Sequence, residues 1–210
     1  MELVFASANK NKYEEFLSIL NTSDVRLINT FKLNESEVIE NKTTFKDNAA
    51  LKALAYARAF NQVAFADDSG LVVDAIKPLP GIYSKRYSGL GDLENNLKLL
   101  QVLKNNQNRD ARFVCVIAIA FPDGKIFTYE GNMLGTIALT LKGGMGFGYD
   151  PIFIPKNEQA TLAELGPSFK DQYSHRSIAL NNFLEAKNEV IDYWRYTWQK
   201  WHVTKGIKKG

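Results

Sequence analysis

The chain has little cysteine and little histidine. One cysteine in 210 residues excludes an internal disulfide. With only two histidines beside it, the usual closed zinc site cannot be built. No apolar run approaches the roughly 20 residues of a membrane-spanning helix. The longest, Phe113 to Phe121, has the length of a strand. No basic stretch precedes the opening Met1 to Ser7, which reads as a strand and not as a signal peptide, so the cytoplasm is the expected compartment. Internal repeats and low-complexity linkers are also missing. Hydrophobic residues at 45% and charged residues at 23% exclude a disordered or collagen-like chain. The length suits one larger domain or two lobes sharing a core.

Charge of one sign is scarce in a more local sense. The net charge of +3 hints at nucleic acid or phosphate partners, but its distribution matters more. Residues 193–210 carry Arg195, Lys200, Lys205, Lys208 and Lys209 and no acid. The remainder has 21 basic and 23 acidic residues and is slightly acidic. Trp194, Trp198 and Trp201, all the tryptophans of the chain, share that basic tail.

Strand and helix patterns alternate, which predicts an α/β fold. Strands are expected over 2–8, 25–28, 63–67 and 71–76, with a break at Asp68, Ser69 and Gly70. A hairpin is expected from 112–121 and 125–130, followed by a separate strand over 132–141, so the sheet is mixed. Helices are expected over 12–21, 44–60 and 92–105, and from Ser174 onward. Thr44 and Asp47 resemble a capping box with Asp in place of Glu.

Familiar sites are absent. The loop from Gly143 to Gly148 fails the dinucleotide pattern, because its third glycine would fall on Tyr149. There is no Walker A loop and no serine elbow. Cys115 lies within an apolar strand and reads as a small buried hydrophobe.

Three segments carry polar groups that folding alone does not require. Ser7 to Lys12 lies between a strand and a helix, where backbone N–H groups and lysine suit an anion or form an ordinary capped turn. Asp67 and Asp68 are expected at a strand end, as a carboxylate for a hard cation such as Mg²⁺ or as a solvated turn. Successive strand residues point to opposite faces, so one aspartate of the two would meet the metal. Phe147 to Pro151, with Lys170, His175 and Arg176, offers an aromatic face, a carboxylate and cations, as a nucleobase pocket or as core packing. Together they describe a nucleoside triphosphate site without a P-loop.

These residues resemble the inosine triphosphate pyrophosphatase family, the dITP/XTP pyrophosphatases. The matching stretches are SANKNK at 7–12, FKDNAALKA at 45–53, ADDSGL at 66–71, PGIYSKRYSG at 80–89, GGMGFGYDPIF at 143–153 and SHRSIAL at 174–180. They occur in the family's order and spacing from about residue 1 to 191. The resemblance implies an elongated α/β structure, a mixed sheet flanked by helices in two lobes around a cleft. Residues 1–192 would form that domain, and 193–210 a basic, Trp-containing extension.

The reaction implied is hydrolysis of ITP, dITP or XTP to the monophosphate and pyrophosphate, with Mg²⁺ as cofactor and a homodimer as the usual assembly. Carried over, Ser7, Asn9, Lys12 and Lys52 would hold the triphosphate. Glu40 and Asp68 would ligate the metal, and Asp68 would take the proton of the attacking water with Asp67 in support. Ser69 would touch the substrate. Phe147 would stack on the base, with Gly148, Tyr149 and Asp150 lining its pocket. Lys170, His175 and Arg176 would read the base edge. Other readings are a pyrophosphatase for modified pyrimidine triphosphates, and a non-catalytic nucleic-acid-binding protein using the basic tail, whose stripe of tryptophans is expected to pack on its own subunit.

Overall fold

The structure, a computed structural model, describes residues 1–20, 23–30 and 38–206, with side chains as far as Thr197. The strands are β1 (Glu2–Phe5), β2 (Arg26–Asn29), β3 (Ala64–Val73), β4 (Asp110–Ala120), β5 (Ile126–Ile137) and β6 (Phe153–Pro155). They form one sheet in the order β2-β1-β3-β4-β5-β6. β1 runs parallel to β2 and β3, and the remaining pairs are antiparallel, so the sheet is mixed as expected. The helices are α1 (Lys10–Leu20), α2 (Phe45–Phe60), α3 (Asp92–Val102), α4 (Leu162–Leu165), α5 (Pro167–Tyr173) and α6 (His175–Gly206).

Two expected strand boundaries are corrected. β3 does not break at Asp68, Ser69 and Gly70 but pairs with β4 without interruption from Ala64 to Val73. The polar run stays in the sheet because its side chains find partners on both faces, so the chain has no need to turn toward water. β5 likewise runs unbroken through Gly131, joining two pieces read as separate strands. The pattern past Val73 ends in a short 3₁₀ turn, Asp74–Ile76.

Alternation along β3 builds two layers. Ala64 and Ala66 meet Ala49, Ala53 and Ala57 of α2, with Ala118 and Ala120 of β4 beside them. Small residues on both sides let the helix approach closely. Its start is fixed by Thr44, whose hydroxyl accepts from the Asp47 N–H. The Asp47 carboxylate takes the Thr44 hydroxyl proton and not a backbone N–H, so the box is incomplete. Phe65 faces the other way, into a cluster with Phe5, Phe16, Ile117 and Phe183 beneath α1 and α6. Phe16 meets Phe65 edge-on at 5.0 Å, an arrangement that adds about 1 kcal/mol beyond area burial.

A third cluster fills the far end of the sheet, with Leu71, Phe113, Met133 and Ile137 against Leu99 of α3 and Leu162 of α4. The core is thus divided between two ends of one sheet. α6 passes residue 192 as one continuous helix. Tyr193 packs on Phe121 at 4.8 Å, whereas Trp194 is half exposed. The side chains of Trp198 and Trp201 lie outside the described residues.

Candidate active site

The functional side chains converge because β3 presents two adjacent aspartates to opposite faces. Asp67 points toward α1 and α6 and is fully buried. Its Oδ2 accepts from Lys12 Nζ at 2.7 Å and from the Ser69 hydroxyl at 3.1 Å. Burial alone would raise its pKa, but the cations Lys12, Lys52 and Arg176 outweigh that and hold it at about 2. Asp67 is therefore a permanent anion that anchors cations.

Asp68 points toward α2. Its Oδ1 accepts the Ser69 N–H at 3.0 Å, while its Oδ2 is buried without a partner among the described residues. Burial pushes its pKa up to about 6, against the pull of Lys52 and Lys12, and Glu40 adds to the rise. Lys52, from the third turn of α2, donates to the Asp67 carbonyl at 2.5 Å and pairs with Glu40 at 2.5 Å. Burial disfavours its charge, yet Asp67, Glu40 and Asp68 together raise its pKa. Among the described residues no group of three histidines, cysteines or acids encloses a metal. Asp68 and Glu40 are the two carboxylates that could face a hard cation, and an orphaned buried carboxylate oxygen is what such an ion satisfies.

The Ser7 to Lys12 turn is a helix start as expected. Ser7 Oγ accepts from the Asn9 N–H, and Asn9 Oδ1 accepts from the Lys12 N–H, each at 3.2 Å. Ser7, Asn9, Lys12, Glu40, Lys52, Asp68 and Ser69 all line one cavity of about 360 Å³.

The Phe147 loop and the start of α6 complete the lining with Phe147, Gly148, Tyr149, Asp150, His175 and Arg176. Asp150 accepts from the Phe147 N–H at 3.0 Å and from Lys170 Nζ at 2.6 Å, so it shapes the loop. Gly146 must be glycine, since a Cβ there would lie 2.1 Å from Asp150 Oδ2. Tyr149 is buried, with its hydroxyl donating to the Ser84 carbonyl at 3.0 Å. Lys170 and Arg176 sit against the Phe147 ring at 4.7 and 5.2 Å. Lys170 is buried, with its Nζ over the Phe147 ring and bonded to Asp150 and to Glu15.

His175 and Arg176 do reach the cavity. His175 stacks on Phe113 with ring centres 4.7 Å apart, and its Nδ1 is buried without a partner. Burial, then Arg176, Lys170 and Lys12, drive its pKa well below the ordinary value and keep it neutral. Arg176 donates to Glu15 at 2.7 Å and to the Ser69 hydroxyl at 3.0 Å, leaving its buried Nε without a partner. Sequence reasoning missed Glu15, which ties Arg176 and Lys170 together. Its one signal was a place on the α1 face of Lys12, one turn further on. Asp92 and Asn96, which grip Gly148, were also missed.

Comparisons with known proteins show what the chain is similar to. The model of the Ham1 family matches residues 3–186. The dITP/XTP pyrophosphatase of Acholeplasma laidlawii is 66% identical over 200 residues, covering 95% of this chain and all of that one. The solved Ham1 protein of Staphylococcus aureus superposes with a TM-score of 0.80 at 42% identity, covering 90% of this chain and 98% of its own. A Ham1 protein of Coxiella burnetii gives 0.82 at 35% identity, covering 90% and 99%.

Proposed function

The chain belongs to the Ham1 family, and on that premise we propose that it hydrolyses non-standard purine nucleoside triphosphates, dITP and XTP among them, to the monophosphate and pyrophosphate. The observation that carries the reading is the pair of buried, unpartnered groups at Arg176 Nε and His175 Nδ1, on residues that line the same cavity as Asp68. A purine 6-oxo group is an acceptor that meets the Arg176 donor. Adenine sets an amino donor there, and a buried unmatched donor costs discrimination of about 10⁴-fold. Phe147 gives the base an aromatic face.

At the other end, Ser7, Asn9, Lys12 and Lys52 hold the triphosphate, and the lysines offset charge on the departing pyrophosphate. Water attacks the α-phosphorus, and the Asp68 carboxylate takes its proton. Asp68 and Glu40 would hold Mg²⁺, since two carboxylates beside substrate phosphates match its coordination habit. When bound, Mg²⁺ neutralises phosphate charge. Free nucleotides as substrates place the enzyme in the cytoplasm, and the family resemblance supports a homodimer.

The test is pyrophosphate release from dITP, XTP, dUTP and dGTP in Mg²⁺. Release from dITP and XTP far above the other two is expected. Preference for dUTP, or no release at all, would overturn the reading.

A further inference from the structure

The base wall hangs on a loop that carries no regular structure, and what braces it is α3. Gly148 lies between Phe147 and Tyr149 with a φ of +63°, a conformation that leaves its peptide groups with no strand or helix partner. Both are taken by α3. The Gly148 N–H donates to Asp92 Oδ2 at 2.8 Å, and the Gly148 carbonyl accepts from Asn96 Nδ2 at 2.8 Å. Asn96 spends its other amide proton on the Asp92 backbone carbonyl at 2.7 Å, which fixes its side chain against the first turn of α3. Asn96 is buried, and its Oδ1 has no partner among the described residues. An unpaired buried oxygen is a cost to folding that an apolar residue would avoid. Its two donors are what the position supplies.

The neighbouring Asn95 acts on the same wall. It donates to the Ser84 carbonyl at 3.2 Å, the acceptor that also holds the Tyr149 hydroxyl. From the other side, Asp150 accepts the Phe147 N–H. The orientation of the loop that carries Phe147 is therefore set from both ends, by Asp150 on one and by α3 on the other.

We propose that Asp92 and Asn96 are positioning residues for base selection: by clamping both sides of the Gly148 peptide they hold Phe147 and the cavity wall at the spacing a 6-oxopurine needs. The inference rests on the functional reading above and adds to it a determinant on α3, whose Asp92 reaches the cavity wall while Asn96 stands behind it. Ser7, Asn9, Lys12 and Lys52, which the functional reading gives to the phosphates, take no part in these clamp hydrogen bonds.

The experiment is steady-state pyrophosphate release from dITP and dGTP by the wild type and by Asn96→Ala, Asp92→Ala and Asp92→Asn, with thermal midpoints measured alongside. Asn96→Ala and Asp92→Ala are expected to raise KM for dITP about fivefold, the loss of one hydrogen bond, with a much smaller fall in kcat. The dITP:dGTP ratio of kcat/KM is expected to fall by about the same factor. Asp92→Asn keeps an acceptor oxygen for the Gly148 N–H and should restore both. Asp92 is partly exposed, so its variants report even where Asn96→Ala does not fold. Wild-type KM and ratio in Asp92→Ala, with or without a lower thermal midpoint, would overturn the proposal. So would an equal defect in Asp92→Asn. A wild type that releases no pyrophosphate from dITP would instead overturn the functional reading, and the clamp with it.

Discussion

Asp67 and Asp68 are neighbours with opposite environments, and the difference is one of facing. Asp67 meets Lys12 and stays ionised, whereas Asp68 keeps a buried oxygen with no partner. Asp68→Asn is expected to lower turnover by about 10²-fold or more, the usual scale for a proton acceptor. Its thermal midpoint should hold or rise, because a desolvated carboxylate is removed. Near-normal pyrophosphate release from the variant would take Asp68 out of that role. Glu15 gives a second residue-scale prediction. Burial alone would raise its pKa, but Arg176 and Lys170 together bring it below the ordinary carboxylate value. Its folded pKa being lowered, it stabilises fully above about pH 4.5, and that stability fades as pH falls through the lowered value. Glu15→Gln should therefore melt below the wild type at pH 7, with the gap closing on acidification. A gap that stays constant from pH 7 to pH 3 would contradict it. The acids of the ADDSG stretch were legible in sequence because they interrupt an apolar run. Glu15 was not, since an acid on a polar helix face is the commonest pattern there is.

At the scale of elements, the polar run in β3 looked like a turn because composition alone cannot show cross-face partners. Only the approach of Lys12 from α1 and Lys52 from α2 makes a strand through two aspartates tolerable. Glycine in β5 had a similar hidden cause. A Cβ at Gly131 would lie 2.2 Å from the His175 carbonyl and 2.4 Å from the Ala179 nitrogen, so this glycine lets α6 rest on the strand. Gly131→Ala should push the start of α6 outward and cost about 1–3 kcal/mol, the range for overpacking a tight contact. Because His175 and Arg176 open that helix, activity should fall too. Urea unfolding beside pyrophosphate release checks both, and an unchanged midpoint would show that the helix shifts freely. The four longer helices were well read from periodicity and caps, α2 above all, whereas the short α4 and α5 were not.

For the whole molecule, the cavity exists because two ends of one sheet carry separate cores and the site lies where they meet. The basic tail stands apart from it. Removal of residues after Asp192 is expected to leave kcat per folded site within about twofold, since no described tail side chain lines the cavity. Loss of Tyr193, which packs on Phe121 and donates to Asp123 at 2.7 Å, should lower stability by about 1–2 kcal/mol. A stop after Tyr193 should recover that stability. A large loss of kcat in either form would place the tail in the site.

Although β6, α4 and α5 were not read, sequence by itself determined the class of fold, the order of its longer helices and the side-chain types of the three polar segments. Those follow from periodicity, capping and side-chain type, which are local properties. Tertiary structure decided which face each aspartate takes, that Lys170 pairs with Glu15 and Asp150 against the Phe147 ring, and which helix braces Gly148. These depend on contacts between residues as far apart as Glu15 and Arg176, and no local pattern records what lies across a sheet or a cleft. The same holds for the positive balance of the chain: its position in the tail was visible at once, but only the packed structure separates it from the few placed cations of the site.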